Sequence, residues 1–129
     1  MKIIGYWAID KSGYSEEALK WTKDDPEYPS PEEFIDKSWA ASYPIEFSSV
    51  RNFLSGKSNR INGVNIIKKL YKGSSKCRLC NCINGSEEYQ VFYKKKHVYT
   101  IPSGYLHYVQ SHSVKPPQDF IDFCVSLYT

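Results

Sequence analysis

Cys77-Arg78-Leu79-Cys80, separated by 26 residues from His107-Tyr108-Val109-Gln110-Ser111-His112, is the stretch that decides how this chain folds. A C-x2-C pair in a tight turn presents two thiolates to one ion, and two histidines near a helix end supply two imidazoles. Zinc accepts this S2N2 set in a tetrahedron. Residues five apart on a helix sit roughly 140° apart around its axis. The rings of His107 and His112 therefore converge only if the helix ends or tightens near His112, and Pro116-Pro117 shortly after supports such an end. The 26-residue spacer exceeds that of a DNA-reading C2H2 finger and has room for a loop and a hairpin. The expected order is knuckle, hairpin, helix. Cys82 offers an alternate ligand, which would give a Cys3His site. Four ligands close a zinc site, and the chain has neither H-E-x-x-H nor the H-x-E and P-C-x-x-C of zinc deaminases. The metal is accordingly read as structural Zn2+. Glu87 and Glu88 beside Ser86 read as loop residues rather than catalytic bases.

The flanking sequence supplies the elements that carry this site. Residues 2–9 read as a first strand, rich in β-branched and aromatic side chains. A turn at Ser12-Gly13 precedes a short helix from Ser15. A Pro-rich loop, Asp24 to Pro31, follows. Ser30-Pro31-Glu32-Glu33 reads as a helix start with Ser as N-cap and Pro at the first position, running to about Lys37. A second helix is expected over 44–55, with Phe47, Val50, Phe53 and Leu54 on one face and Gly56 as its stop. Val64 to Tyr71 reads as a strand that Gly73-Ser74-Ser75 breaks. Tyr89–Tyr93 and His97–Ile101 pair as a hairpin across Lys94-Lys95-Lys96. Asn84-Gly85-Ser86 has turn chemistry. Pro102-Ser103-Gly104 opens the histidine helix. After Pro116-Pro117 comes a last helix with Phe120, Ile121, Cys124 and Leu127 as its apolar stripe. The fold class is α+β: a small zinc-stapled domain with an N-terminal strand and a few short helices. Residues 1–129 form a single domain, with 1–43 a strand and loop/helix extension and 44–129 the zinc-stapled core.

Composition fits that picture. At 129 residues the chain is too short for a two-domain cofactor enzyme. It holds 24 Leu, Ile and Val against 20 Phe, Tyr and Trp, so its core is thin in aliphatics and a metal would compensate. No run approaches the ~20 apolar residues of a membrane span. The apolar start ends at Asp10 without a cleavage site, and crowded cysteines suit a reducing compartment, so the expected location is the cytoplasm. The net charge of +3 hides an acidic first half, −5 over residues 1–50, and a basic remainder, +8 over 51–129.

The C-terminal half resembles a family of small uncharacterised bacterial zinc-binding proteins. Matching residues are Phe53-Leu54-Ser55-Gly56, Cys77-Arg78-Leu79-Cys80, Asn84-Gly85-Ser86, Glu88, Pro102, Gly104, His107-Tyr108-Val109 and His112, extended by Val114, Pro117 and Phe120. The resemblance covers roughly residues 45–123 and implies zinc ligation by Cys77, Cys80, His107 and His112. Ile101, where an aromatic is usual, and Cys82 depart from it. It implies no activity.

Three functions compete. The first is a non-enzymatic protein-binding module: an immunity protein or antitoxin whose partner is a toxin, or a phage or host accessory factor. Trp7, Trp21, Trp39 and Tyr28 are its candidate contacts. The second is nucleic-acid binding through the basic 51–96 segment, with Arg60, Lys68, Lys69, Lys72, Lys76, Arg78, Lys94, Lys95 and Lys96 facing phosphates or an acidic partner. A pI of 8.6 is low for such a domain. The third is an enzyme with Cys82 as nucleophile and His97 or His107 as base, and no catalytic residue is assigned. Cys124 reads as core and His97 as strand surface.

Overall fold

The computed structural model describes residues 1–7, 15–22, 28–57, 61, 63–70 and 76–128. The Ser12-Gly13 turn, residues 24–27, Arg60, Lys72 and the Gly73-Ser74-Ser75 break lie outside these, as does the side chain of Trp21. The architecture is α+β. Strand β1 (Lys2–Ile3) is followed by helix α1 (Glu16–Thr22), a 3-10 turn (Pro31–Phe34), α2 (Trp39–Ser42), and α3 (Pro44–Asn52), which runs into a π turn (Phe53–Lys57). Then come β2 (Val64–Leu70), β3 (Glu87–Tyr93), β4 (Lys96–Pro102), α4 (Tyr105–Ser111) and α5 (Gln118–Tyr128). The four strands lie in the order β1-β4-β3-β2. β1 runs parallel to β4, and the other pairs are antiparallel.

Alternation along β3 and β4 decides which face is buried. Val91, Tyr99 and Ile101 point into the core, and Val64 joins them from β2. Helix α5 lies on this face: Phe120 meets Tyr99 at 5.0 Å between ring centroids, and Phe123 meets Tyr93 at 5.5 Å. Phe53 closes the layer from α3, edge-on to Phe120 at 5.6 Å. Edge-to-face rings thus fill the space that the short supply of aliphatics leaves, each pair contributing about 0.5–1.5 kcal/mol beyond its buried area. The α5 stripe of Phe120, Ile121 and Cys124 is buried as its spacing implied. Burial also pushes the Cys124 thiol far above its ordinary value, so it stays neutral.

Several expected elements differ in extent. Of the strand expected over 2–9, residues 8 and 9 lie outside the described residues; within 1–7 the strand spans Lys2–Ile3, and the Ile4 N–H still donates to the Thr100 carbonyl (3.1 Å). Gly5 then turns the chain at φ +82°, where a Cβ would meet the Tyr105 ring at 2.7 Å. The helix expected from Ser30 is one 3-10 turn. Glu33 does reach back to the Ser30 N–H (2.8 Å), but Ile35 is extended because it bridges Val114. The hairpin loop is two residues, not three: Lys96 pairs with Tyr93, and Lys94 and Lys95 take φ of 49° and 68°. Glu87 and Glu88 open β3 opposite Leu70 and Lys69 instead of lying in a loop. The short helix α2 had no signal in the sequence.

The N-terminus is tied to the last helix. Lys2 Nζ donates to Asp119 Oδ1 (2.6 Å), and the Tyr99 hydroxyl donates to Asp119 Oδ2 (2.9 Å). Partial burial raises the Asp119 pKa, and the bonds from Lys2 and Tyr99 outweigh it, so the net shift is downward. A carboxylate held below its unfolded value stabilises the fold above about pH 4, and that contribution is lost as pH falls through the folded value. Asp119→Asn should therefore flatten the acid limb of the stability curve while changing neutral stability by no more than about 1 kcal/mol, the scale of exposed pairs. Urea unfolding between pH 2 and 7 measures this; an unchanged acid limb would contradict it.

Candidate metal centre

The knuckle is a miniature hairpin. Lys76 bridges Ile83, the Cys77 N–H donates to the Cys82 carbonyl (2.8 Å), and the Asn81 N–H donates to the Cys77 carbonyl (2.8 Å). Asn81 supplies the left-handed residue this turn needs, at φ 61°. Asparagine adopts that region more readily than most residues.

Helix α4 brings up the two histidines, and its end solves the rotation problem. His112 is the C-cap, at φ −126° and ψ 9°, so its ring leaves the helical path. Ser113 follows in the left-handed region at φ 56°. The next residues are clamped by the segment around the 3-10 turn: the Asp36 N–H donates to the Ser113 carbonyl (2.9 Å), and the Lys115 N–H to the Phe34 carbonyl (2.8 Å). The N-terminal part of the chain thereby fixes where His112 points.

The result is a cluster. One donor atom from each of Cys77, Cys80, His107 and His112 lies within 4.8 Å of all the others, close enough to hold one metal ion. Cys80 Sγ is 3.3 Å from His107 Nε2, and His107 Nε2 is 3.2 Å from His112 Nε2. Burial and the neighbouring His112 lower the His107 pKa, which favours the neutral imidazole a metal requires. Cys77 is buried, and its sulfur accepts the Leu79 N–H at 3.4 Å. The Tyr108 hydroxyl accepts the Arg78 N–H (2.7 Å), which ties helix α4 to the knuckle beside Cys77. Burial raises the Tyr108 pKa, so it remains a phenol able to donate. Outer-shell donors such as the Leu79 N–H stabilise a thiolate and orient it.

The loop after the knuckle interlocks with the start of α4. A Cβ on Gly104 would lie 2.1 Å from the Asn84 carbonyl oxygen, and one on Gly85 would lie 2.5 Å from Ser103 Oγ. Asn84 is itself buried. Glycine at 104 is therefore a requirement of close approach: the two halves of the ligand set are pressed together there. Sequence reading took Asn84-Gly85-Ser86 as turn chemistry and missed this contact.

Other candidates fall elsewhere. Cys82 is exposed, with Sγ 3.8 Å from the Cys80 carbonyl, and is not part of the cluster. His97 is half-buried on β4 rather than a plain surface residue: it stacks on Phe92, and its Nε2 sits 3.1 Å from both the Tyr99 carbonyl and Thr100 Oγ1. Among the described residues no hydrogen bond joins Cys82 to His97 or His107. Among the described lysines of the basic segment, Lys94 to Lys96 occupy the hairpin end of the sheet and Lys69 lies toward the other end. Arg60 and Lys72 lie outside the described residues. Trp39 is core, 1% exposed. Trp7 and Tyr28 line a cavity of about 320 Å³ with Phe34 and Tyr105, and a second of about 200 Å³ with Lys76 and Arg78.

Fold and site together define a small α+β protein with a Cys2His2 cluster able to hold a metal. Residues 19–125 match the family described as Domain of unknown function (DUF7919), and the chain belongs to that family. No curated protein and no solved structure matches it. No described helix is long and apolar enough to cross a membrane.

Gly104→Ala should cost about 1–3 kcal/mol or more by overpacking against backbone. It should also weaken metal binding, because α4 must retreat from the knuckle. Paired denaturant unfolding and metal titration check this; wild-type metal affinity in the variant would show that the interlock does not set the site.

Proposed function

We infer that the chain is a structural-zinc protein whose role is to bind another protein rather than to catalyse. The observation that carries this is the closed donor set. Zinc with bonds of about 2.3 Å to sulfur and 2.0–2.1 Å to nitrogen would separate tetrahedral ligands by about 3.3 Å (N to N) and 3.5–3.6 Å (N to S). The His107–His112 nitrogens at 3.2 Å and the Cys80 sulfur at 3.3 Å from His107 lie close to those values. The donors would be two thiolates and two neutral imidazoles, the set zinc favours. With four protein ligands no position remains for a water or substrate, and the ion would act as a staple worth on the order of 10 kcal/mol.

Exposed aliphatics favour a protein partner over nucleic acid. Ile67, Leu70 and Ile83 are 43%, 80% and 75% exposed beside the basic residues of 68–78. Aliphatic side chains do not stack on bases, whereas they suit a protein interface. The described tyrosines of the basic segment are covered: Lys68 sits over Tyr89 and Lys94 over Tyr93. An immunity protein or antitoxin holding a toxin is one form of such a module, as is a phage or host accessory factor.

The purified chain should carry about one zinc per molecule, and a chelator should remove it with loss of near-ultraviolet circular dichroism. The same sample should show no saturable binding to mixed-sequence single- or double-stranded DNA at about 20 mM salt. Metal-free folded protein would overturn the zinc reading. DNA binding that falls steeply with salt would replace the protein partner with nucleic acid.

A further inference from the structure

We propose that the free edge of β2 at Lys68–Leu70 docks an extended, acidic segment of a partner protein, which adds to the sheet as a fifth strand. The inference rests on the protein-binding reading and names where and what the module binds.

β2 is the outermost strand of the order β1-β4-β3-β2. The Gly63 carbonyl accepts the Lys94 N–H (2.8 Å) one step beyond the Val64–Tyr93 pair. By the alternation of an antiparallel ladder, odd-numbered residues of β2 face β3, and Lys68 and Leu70 turn their N–H and C=O groups outward. The beginning of this edge is closed, because the Val64 N–H donates to the Ile61 carbonyl (3.1 Å). Ile66 is likewise engaged, and among the described residues none bonds the outward backbone groups of Lys68 and Leu70. Side-chain burial follows the same division: Val64 is buried, Ile66 is half-buried, and Lys68 and Leu70 on the same face are exposed. The core ends beneath the strand at this point and leaves Leu70 uncovered. Sheet edges that offer backbone groups beside apolar side chains bind extended peptides by strand addition.

Charge selects the occupant. Among the described residues the only ion pair is Lys2–Asp119, so no described carboxylate lies within 4 Å of the Lys68 or Lys69 ammonium. Glu88 lies across from Lys69 on β3, and its carboxylate accepts the Tyr6 hydroxyl. Tyr6 in turn lines a cavity with Lys76 and Arg78, which places further positive charge at this end of the sheet. An acidic residue on an added strand would complete a Glu–Lys–acid row across three strands, the favourable arrangement for cross-strand pairs. A second copy of the chain fits poorly. Antiparallel pairing of β2 with itself about this stretch sets lysine against lysine, the usual protection of an edge against self-association.

The zinc-loaded full chain, titrated with the peptide Thr-Glu-Val-Glu-Val-Glu-Thr and followed by amide NMR, tests this. The amides of residues 68–70 should shift saturably. Affinity should fall about tenfold or more when alternate peptide amides are N-methylated or when Lys replaces each Glu. Lys68→Glu with Lys69→Glu should reverse the charge preference, and the N-methylated peptide carries the test should that variant not fold. Saturable shifts confined to other surfaces would overturn the edge site while leaving the protein-binding reading intact. Shifts at 68–70 by oligo-dT with the peptide silent would overturn both. Self-association through β2, or no shift at 68–70 with any peptide up to about 1 mM, would overturn the edge site.

Discussion

Two sulfur and two nitrogen atoms come from chain segments that the two strands of the β3–β4 hairpin separate, and they meet because Gly104 lets α4 close on Asn84. A side chain at 104 would strike the Asn84 carbonyl oxygen. With hydrogen there instead, the loop after the knuckle lies against the first turn of the helix. Cys80 Sγ then stands 3.3 Å from His107 Nε2 although the residues are 27 apart in sequence. The rest of the site follows from this contact. Tyr108, one residue past His107, bonds the knuckle backbone at Arg78. His112 leaves the helix at its cap and completes the set.

The N-terminal third serves this arrangement. Ile35 bridges Val114, and Asp36 and Phe34 grip the chain on either side of that bridge, so His112 is followed by a fixed turn. Ile4 and Trp39 belong to the same hydrophobic cluster as Val109, Phe120 and Cys124. Trp7 packs edge-on to Tyr108 at 5.4 Å, which links the first residues to a side chain that supports a ligand. The core is built from aromatic edges as much as from aliphatic volume, and burial keeps its Tyr105 hydroxyl neutral.

Much of this was legible where one residue type has few uses. The four-residue cluster, the hairpin, the last helix and the need for a helix end at His112 all follow from spacing and from side chains with narrow chemistry. What escaped the sequence depended on partners far along the chain. Residues 2–9 have strand composition throughout, but among the described residues 2–7 only the first positions pair with β4, and Gly5 turns away because the Tyr105 ring stands in the path. Ser30-Pro31-Glu32-Glu33 starts a helix in the expected way, yet Ile35 is taken by Val114 before a second turn forms. Two lysines at positive φ contradict turn preference, and only the Tyr93–Lys96 pairing reveals that the turn is so tight. Gly104 was legible as part of the helix opening but not as a close-approach position, since its φ of −73° is ordinary and its constraint lies in Asn84.

In the proposed zinc reading, a metal at this cluster, and not the aromatic core alone, holds knuckle to helix. Zinc K-edge X-ray absorption on the purified protein tests that most directly. The expected result is a four-coordinate shell of two sulfurs at ~2.3 Å and two nitrogens at ~2.0–2.1 Å, lost in the His107→Ala and Cys80→Ser variants. A shell with three sulfurs would bring in Cys82, and a shell with a water oxygen would open the site. Either would contradict the closed Cys77, Cys80, His107 and His112 centre on which the rest depends.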